Sequence, residues 1–480
     1  MAASFFFYDL ETSGLNPREA RVMQFAGQRT DLELNPIGEP FNLMIRMTPE
    51  VVPEPDAVLV TGITPQATLQ DGVTEAEFLK VFFDEVVKPD TVFLGYNTVR
   101  FDDEFMRFLL YRNFYDAYEW QWCDRCSRWD LLDVVRMTRA LRPEGIEWPF
   151  NEVGKATNRL EKLTAANGLS HEQAHDALND VHATIAVARL IRAKQPKLFD
   201  YLLNCRHKKE VEKLVCEQGQ PFVYACGRYP AESQKTTVAI KVGDTSRPGG
   251  CLVYDLRQDP TEFLSMSPQQ LAERWEWARD VDAPKRLPVK ELKFNRCPAV
   301  APLGVLDASA QERIGLDMPT VQRHMKQVLT TPDFASKLQA ALRIKEEKGQ
   351  EFWPKSDEAE GQLYDGFISD DDKKLAQAVR AARPEDLMKL SDHIEDERLR
   401  AMLPRYKARN FPDSLSAEER TEWESYIRDR LMAGGPNGLL GKFFNRLAEL
   451  AASDELDADK RYLLEELQLY GQSITPVEED

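Results

Sequence analysis

The chain has 480 residues, 42% of them hydrophobic, and its 80 acidic and 62 basic side chains give a formal net charge of −18. This length predicts two to four domains, each able to bury a core. No apolar stretch approaches the roughly 18 residues of a membrane helix, and residues 1–8 lack the basic start of a secretion signal. The 7 cysteines are scattered and favour reduced thiols, so we expect a cytoplasmic protein with no membrane partner.

The negative charge argues against a nucleic-acid binder, but it is unevenly distributed along the chain. Residues 351–480 contain 30 acidic and 18 basic side chains. Basic side chains cluster earlier, from Arg189 to Lys209 and from Lys285 to Arg296. These clusters are equally well explained as solvated faces or as parts of a groove that binds a polyanion.

The first 195 or so residues alternate strand and helix patterns. Apolar runs predict strands at residues 4–8, 21–30, 41–48 and 91–96. Helical periodicity follows at residues 103–111, 130–141 and 176–191. The alternation indicates an α/β domain with a mixed sheet.

The remainder of the chain divides into a β-rich and a helical part. Short β-like runs at residues 222–225, 236–242, 251–255 and 289–294, with a helix at 268–280, predict a small β-barrel with insertions. Beyond Pro354 the pattern is helical, with predicted helix starts at Ser369, Ser391, Ser416 and Asp459. We therefore expect three domains, at residues 1–197, 198–352 and 353–480.

Two carboxylates, Asp9 and Glu11, stand at the end of the first predicted strand. The two-residue period of a strand places both side chains on one face, while Phe6, Tyr8 and Leu10 point to the other. A divalent cation with oxygen ligands would offset the repulsion between them, and Mg²⁺ prefers such ligands. The alternative interpretation is a solvated strand terminus.

Further acids follow at the starts of two predicted helices. Asp102 falls in a first helical turn, where it could equally serve the helix dipole, and its neighbours Asp103 and Glu104 are expected to be solvated. Asp180 falls one turn into a helix capped by Asp176 and is expected to face the sheet.

His175 precedes that second helix. A histidine beside carboxylates suits a general base, because its pKa near 6.5 lets it accept a proton at neutral pH. Taken alone it would be an ordinary surface histidine. The other histidines have no comparable neighbours and are interpreted as surface residues; they are His171, His182, His207, His324 and His393.

The order and spacing of these motifs are more specific than any one of them. Asp-x-Glu on a first strand, Asn97-x₃-Phe-Asp at a strand-to-helix junction and His175-x₄-Asp on a later helix resemble the DEDDh family of 3′→5′ exonucleases. The resemblance covers roughly residues 4–195 and implies a ribonuclease H-like fold.

Segments in all three parts narrow the match. Among them are Tyr111-Arg-Asn-Phe-Tyr-Asp, Ser127-Arg-Trp-Asp-Leu-Leu-Asp, Phe199-Asp-Tyr-Leu, Gln362-Leu-Tyr-Asp-Gly-Phe and Arg405-Tyr-Lys-Ala-Arg-Asn-Phe-Pro, which resemble the bacterial exonuclease I family. That family implies an exonuclease domain, an SH3-like β-barrel domain and an all-α C-terminal domain around a cleft for single-stranded DNA.

The resemblance also implies roles for individual residues. The catalytic and metal-binding set would be Asp9, Glu11, Asp102, His175 and Asp180, with His175 as the general base and the four acids as ligands of two Mg²⁺ ions, for which Mn²⁺ would be a substitute. Single-stranded DNA would contact Glu11, Arg107, Tyr118, Trp122, Arg136, Arg159 and Lys208.

Two of those contacts have a competing interpretation. Without the resemblance, Tyr118 and Trp122 would be assigned to a core aromatic cluster with Phe114 and Trp120. A further partner implied by the family is the acidic C-terminal tail of single-stranded-DNA-binding protein, for which Arg142 matches a contact position. A Cys123-x₂-Cys126 pair has no second pair at zinc-site spacing and is interpreted as free thiols.

The activity implied is single-stranded-DNA-specific 3′→5′ exonucleolytic hydrolysis that releases 5′-mononucleotides in DNA repair and recombination, carried out by a monomer. An exoribonuclease remains an alternative, because the five catalytic residues do not distinguish DNA from RNA. A non-catalytic single-strand-binding scaffold is a second alternative, although the intact acids and histidine argue against it.

Overall fold

The structure is a computed structural model that describes residues 3–170, 176–217, 219–276, 284–352, 356–453 and 456–476. Within these ranges, no helix is long and apolar enough to cross a membrane. The elements fall into an α/β part, a β-rich part and a helical part, in the predicted order.

A five-stranded mixed sheet with strand order β3-β2-β1-β4-β5 organises the first part. The central strand β1 pairs antiparallel with β2 and parallel with β4, and β4 pairs parallel with β5. The strands are β1 (Ser4–Thr12), β2 (Val22–Thr30), β3 (Phe41–Met44), β4 (Thr91–Gly95) and β5 (Ser127–Asp130). The predicted mixed sheet is confirmed, and β5 is a strand that the sequence analysis did not assign.

Helices cover both faces of this sheet. They are α1 (Pro55–Thr61), α2 (Pro65–Asp71), α3 (Glu75–Val81), α4 (Asp102–Arg112), α5 (Leu131–Leu141), α6 (Leu160–Ala166), α7 (Ala177–Lys194) and α8 (Pro196–Asn204), whereas the next helix, α9 (Lys208–Val215), packs against the sheet of the second part. Phe5 and Phe7 of β1 enter one core, and Phe6, Tyr8 and Leu10 enter the core on the opposite face, as the two-residue period of the strand predicts.

The second part contains a five-stranded antiparallel sheet with strand order β10-β6-β7-β8-β9. Its strands are β6 (Phe222–Ala225), β7 (Thr236–Asp244), β8 (Gly250–Asp255), β9 (Val289–Lys293) and β10 (Ala299–Pro302). Four match the predicted runs, and β10 is additional. Among the described residues the outer strands β9 and β10 do not pair with each other, so the sheet is open and the predicted closure into a barrel is not confirmed.

Five helices complete this part: α10 (Thr261–Leu264), α11 (Pro268–Trp275), α12 (Ala308–Arg313), α13 (Met318–Thr330) and α14 (Phe334–Phe352). His324 on α13 corrects one expectation, because its side chain is buried rather than on the surface. Its Nδ1 lies 2.9 Å from the carbonyl oxygen of Leu256.

The third part is helical throughout, as predicted. Its helices are α15 (Asp370–Ala381), α16 (Glu397–Asn410), α17 (Ala417–Met432), α18 (Leu439–Ala451) and α19 (Ala458–Ile474). Ser369 and Ser416 are helix N-caps, and Ser416 forms the predicted capping box with Glu419.

Two other predicted helix starts in this part are wrong. Ser391 lies inside a 3₁₀ stretch, Pro384–His393, and the following helix is capped by Asp396, whose carboxylate accepts from Arg398 N and Leu399 N. The last helix is capped by Asp457, two residues before the predicted Asp459.

The third part packs on the first through apolar and charged contacts. Tyr111 and Phe114 at the end of α4 join a core with residues of α15 and α16, and Val58 of α1 joins another with residues of α18 and α19. The helical part therefore covers surface that the α/β part would otherwise expose.

Candidate active site

Three carboxylates meet at the end of β1. One oxygen each of Asp9, Glu11 and Asp180 lies within 4.8 Å of the other two. Among the described residues, no other group of three or more His, Cys, Asp or Glu side chains comes together in this way. Glu11 is buried, whereas Asp9 and Asp180 are half-buried. The predicted convergence of these acids is therefore present in the structure.

The start of α7 places the Asp180 carboxylate at the site. Asp176 caps the helix, its side chain accepting from Asn179 N at 3.1 Å, and Asp180 N donates to the Asp176 carbonyl oxygen at 3.0 Å. The helix packs against β1 and β2, so its first turn lies beside the strand end that carries Asp9 and Glu11.

Asp102, the fourth predicted ligand, is not one of the three carboxylates that meet within 4.8 Å, but from the start of α4 its charge acts on Asp9. Its Oδ1 accepts from the backbone N–H of Leu10, between the two carboxylates of β1, at 3.2 Å. The side chain is buried, and burial followed by the charge of Asp103 raises its pKa well above the ordinary value. Asp102 thus fixes the start of α4 to the strand of the site.

Burial and mutual repulsion disfavour the ionised forms of the cluster. Burial, followed by the charges of Asp9 and Asp180, raises the pKa of Glu11 to about 9. Burial, followed by the charges of Asp102 and Asp180, raises the pKa of Asp9 well above its ordinary range. Oxygen ligands held this close without a balancing charge are the donor set that a divalent cation stabilises.

Asp103 corrects the expectation that it is solvated. Its side chain is buried, accepts from the Tyr8 hydroxyl at 2.5 Å, and forms an ion pair with Arg128 on β5. Because Tyr8 precedes Asp9, this buried group fixes α4 and β5 to the strand of the site. The helical pattern around Asp103 does not predict its burial, because its partners Tyr8 and Arg128 lie on strands that are remote in sequence.

The general base named from the sequence, His175, lies outside the described residues. Cys123 and Cys126 are free thiols and belong to no group of three candidate metal ligands in the part of the chain that the structure describes. The Cys126 thiol lies 3.3 Å from the Lys88 carbonyl oxygen.

The predicted aromatic contacts lie on the surface. Tyr118 is 40% exposed and Trp122 is 63% exposed, whereas Phe114 and Trp120 are buried. The core interpretation of Tyr118 and Trp122 is therefore wrong. Arg107 lies beneath this surface with its guanidinium 5.0 Å from the centroid of the Tyr118 ring.

Three predicted basic contacts lie in different settings. Arg136 donates to Asp133 at 2.5 Å, and its guanidinium lies against Gly227 of the second part, where an added Cβ would be 2.8 Å from Nη2. Arg159 has a side chain 75% exposed, and Lys208 is exposed at the start of α9. All three are on the outside of the first part or at its border with the second.

Arg142, the predicted partner contact, lies at the border between the first and second parts. Its guanidinium donates to the Val305 carbonyl oxygen at 3.0 Å and pairs with Asp307 at 3.3 Å. The side chain is 35% exposed and remains accessible to a ligand.

Comparison with known proteins covers nearly the whole chain. A family model described as Exonuclease matches residues 6–188, one described as Exonuclease I SH3-like domain matches residues 206–343, and one described as Exonuclease I C-terminal domain matches residues 357–474. Exodeoxyribonuclease I of Escherichia coli (strain K12) is 38% identical over 475 residues, which are 98% of this chain and 98% of that protein.

Solved structures agree with these matches. The crystal structure of E. coli exonuclease I in complex with a dA16 oligonucleotide has a TM-score of 0.93 and 37% identity, covering 98% of this chain and 100% of that one. A structure of SSB/exonuclease I in complex with inhibitor CFAM has a TM-score of 0.89 and 36% identity, covering 99% of this chain and 100% of that one. The resemblance found in the motifs is thereby confirmed, and the chain belongs to the exonuclease I family.

Proposed function

We propose that the protein is a single-stranded-DNA-specific 3′→5′ exodeoxyribonuclease that releases 5′-mononucleotides and acts in DNA repair and recombination. The observation that carries the proposal is the meeting of Asp9, Glu11 and Asp180 within 4.8 Å at the end of the central strand. The family relationship, which extends over all three parts, supports the same activity.

We assign the metal site to Asp9, Glu11, Asp102 and Asp180. Their oxygen donors fit hard divalent cations, and we propose two Mg²⁺ ions, for which Mn²⁺ can substitute. When bound, such ions lower the pKa of water and stabilise charge on a phosphodiester. Burial and the charges of Asp9 and Asp180 raise the pKa of Glu11 to about 9, and this supports the assignment because a divalent cation stabilises the ionised form of such buried, neighbouring carboxylates.

The protein side chains have separable tasks in this proposal. The carboxylates of the cluster hold the reacting groups in place, and His175 accepts the proton of the attacking water. The leaving group is the 3′-oxygen of the preceding nucleotide, and hydrolysis is direct. No serine or cysteine nucleophile is assigned.

Strand binding is assigned to the surface around Tyr118 and Trp122. Their exposed rings suit stacking of unpaired bases, which contributes about 1–3 kcal/mol per base and tolerates any sequence. Phosphates would be bound by basic side chains, since guanidinium groups pair well with phosphate oxygens. The residues assigned to this role are Arg107, Arg136, Arg159 and Lys208, and Glu11 is assigned to the terminal nucleotide.

A protein partner is also proposed, the acidic C-terminal tail of single-stranded-DNA-binding protein. The guanidinium of Arg142, with its side chain 35% exposed, is held at this border by the Val305 carbonyl oxygen and Asp307, and it suits a peptide that carries carboxylates. An SSB/exonuclease I structure among the solved relatives supports this partner.

We propose domain boundaries at residues 1–197, 198–352 and 353–480, and the three matched family ranges fall within them. We further propose that the second domain has the SH3-like barrel architecture of the family, with the five-stranded sheet as its wall. The protein is proposed to act as a monomer in the cytoplasm, consistent with its seven free thiols.

The test is a parallel digestion of end-labelled single-stranded DNA, single-stranded RNA and blunt duplex DNA with Mg²⁺. The proposal expects rapid loss of single-stranded DNA, slow or no loss of the other two, and complete inhibition by EDTA. Equal digestion of RNA would identify an exoribonuclease, and binding without cleavage would identify a scaffold. Equal rates on duplex and single strand would contradict the stacking assignment.

A further inference from the structure

One carboxylate joins all three parts of the protein. Glu104 on α4 accepts at Oε1 from Arg107 Nη1 at 2.6 Å and from Arg296 Nη2 at 3.0 Å. The hydroxyl of Tyr364 donates to its other oxygen, Oε2. Because Arg296 belongs to the second part and Tyr364 to the third, three separate regions of the chain converge on a single anion.

The donors around Glu104 match those that bind a phosphodiester. Two guanidinium groups and a hydroxyl are typical phosphate ligands, and together they carry one positive charge more than the glutamate neutralises. The side chain of Arg107 is only 8% exposed, yet its Nε has no hydrogen-bond partner within the described residues. A larger anion with more acceptor oxygens would satisfy this group better than the carboxylate does.

The location of the group also fits a strand. Arg107 lies beneath the exposed ring of Tyr118, with its guanidinium 5.0 Å from the ring centroid. Glu104 lies two residues beyond Asp102 in the first turn of α4, the helix that also carries Arg107. Glu104 and Arg296 have side chains 16% and 39% exposed, and solvent can therefore reach the ion pairs.

We infer that Glu104 is an internal counter-anion that a phosphodiester of the bound strand displaces from Arg107, Arg296 and Tyr364. The inference rests on the proposed function and adds Arg296 and Tyr364 to its strand-binding residues. In the free protein the carboxylate keeps two neighbouring cations from repelling each other. In the complex the phosphate takes over their hydrogen bonds, and Glu104 turns toward solvent.

This exchange has an energetic consequence for strand binding. Because the carboxylate competes for the same donors, it weakens binding of the strand and assists release of each phosphate as the strand moves. Removing the charge of Glu104 should therefore tighten binding of the strand. If Glu104 only held the three parts together, its removal would not tighten binding.

The test is equilibrium binding of a 5′-fluorescent oligothymidylate, measured by anisotropy in EDTA so that nothing is cleaved, across a series of salt concentrations. Glu104→Gln should lower Kd about three- to tenfold at low salt and steepen the slope of log Kd against log salt by about 0.7, the value for one additional phosphate contact. Glu424→Gln, which removes the same charge from an exposed site on α17, is the control and should leave both unchanged.

A second variant keeps the test decisive if Glu104→Gln does not fold. Arg296→Gln should weaken binding and reduce the slope by about 0.7, because it removes a phosphate contact from a partly exposed side chain. Unchanged or weaker binding by a folded Glu104→Gln, or an unchanged slope in Arg296→Gln, would overturn the inference. Absence of strand binding by the unmodified protein would instead refute the proposed function.

Discussion

A buried group of four charges joins the α/β part to the helical part, and its removal is predicted to destabilise the whole protein. Glu360 accepts from Arg21 Nη2 at 2.8 Å and forms an ion pair with Arg409. Glu50 pairs with the same two arginines, at 2.7 Å from Arg409 and 3.3 Å from Arg21. None of the four side chains is more than 7% exposed, and their charges balance.

The perturbation is Glu360→Gln, which keeps the shape and removes one negative charge. Arg21 and Arg409 would then share Glu50 alone and leave one buried cation uncompensated. Breaking a buried ion pair by removing one partner costs about 3–5 kcal/mol. We expect the free energy of unfolding to fall by about 3 kcal/mol, the lower end of this range, because the amide oxygen of the glutamine can still accept one hydrogen bond.

The assay is equilibrium urea unfolding followed by tryptophan fluorescence. Trp423 reports on the group directly, since the Arg409 guanidinium lies 5.9 Å from its ring centroid. Glu424→Gln is the matched control, because Glu424 is exposed and lies beside Trp423 on α17; this variant should change the free energy of unfolding little. A loss below about 1 kcal/mol for Glu360→Gln, the value of a surface pair, would refute the reasoning.

The difference in stability between the unmodified protein and Glu360→Gln should depend on pH, and the direction of that dependence can be predicted. The charges of Arg409 and Arg21 outweigh burial and hold the pKa of Glu360 below its usual range. A carboxylate with a depressed folded pKa stabilises the protein above its unfolded pKa, near about 4.3, and this stabilisation is lost as the pH falls toward the folded value. The difference in free energy of unfolding between Glu360→Gln and the unmodified protein should therefore be largest near pH 7 and should decrease below about pH 4. A difference that does not change with pH would contradict the assignment.

Three further predictions concern the proposed site and its ligands. His175→Ala should reduce turnover by about 10²–10⁴ while anisotropy in EDTA shows retained DNA binding; near-normal turnover would remove its assignment as base. Tyr118→Ala should weaken binding of single-stranded DNA by about 1–3 kcal/mol, measured by the same anisotropy titration, and no change would exclude stacking there. Arg142→Ala should weaken binding of an SSB tail peptide in calorimetry and slow digestion of SSB-coated DNA, yet spare naked DNA; unchanged peptide affinity would refute that contact.

Elements with strong local patterns could be predicted from the sequence. The alternation in β1 placed Asp9 and Glu11 on one face, and the cap at Asp176 placed Asp180 one turn into α7, as the structure confirms. The strand β6 has the bounds that the sequence predicts, because its short apolar and aromatic run stands between the Gly and Pro residues that separate the runs of this region. These features depend on residues close together in the chain.

The features that were missed depend on partners remote in sequence. Asp103 was expected in solvent because nothing near it reveals Tyr8 and Arg128, the two residues that bury it. Ser391 fits a helix start, yet that segment forms a 3₁₀ stretch. The convergence at Glu104 likewise joins residues more than a hundred positions apart, so neither periodicity nor spacing could indicate it.

The central claim is that the carboxylate cluster at the end of β1 hydrolyses a single strand from its 3′ end. The most direct measurement is a time course on 5′-end-labelled single-stranded DNA with Mg²⁺, comparing the unmodified protein with Glu11→Gln, which keeps the side-chain shape and removes one ligand charge. The account predicts a ladder that shortens progressively with the unmodified protein and an intact strand with the variant. Immediate release of the labelled 5′-nucleotide, or digestion by Glu11→Gln at an undiminished rate, would contradict it.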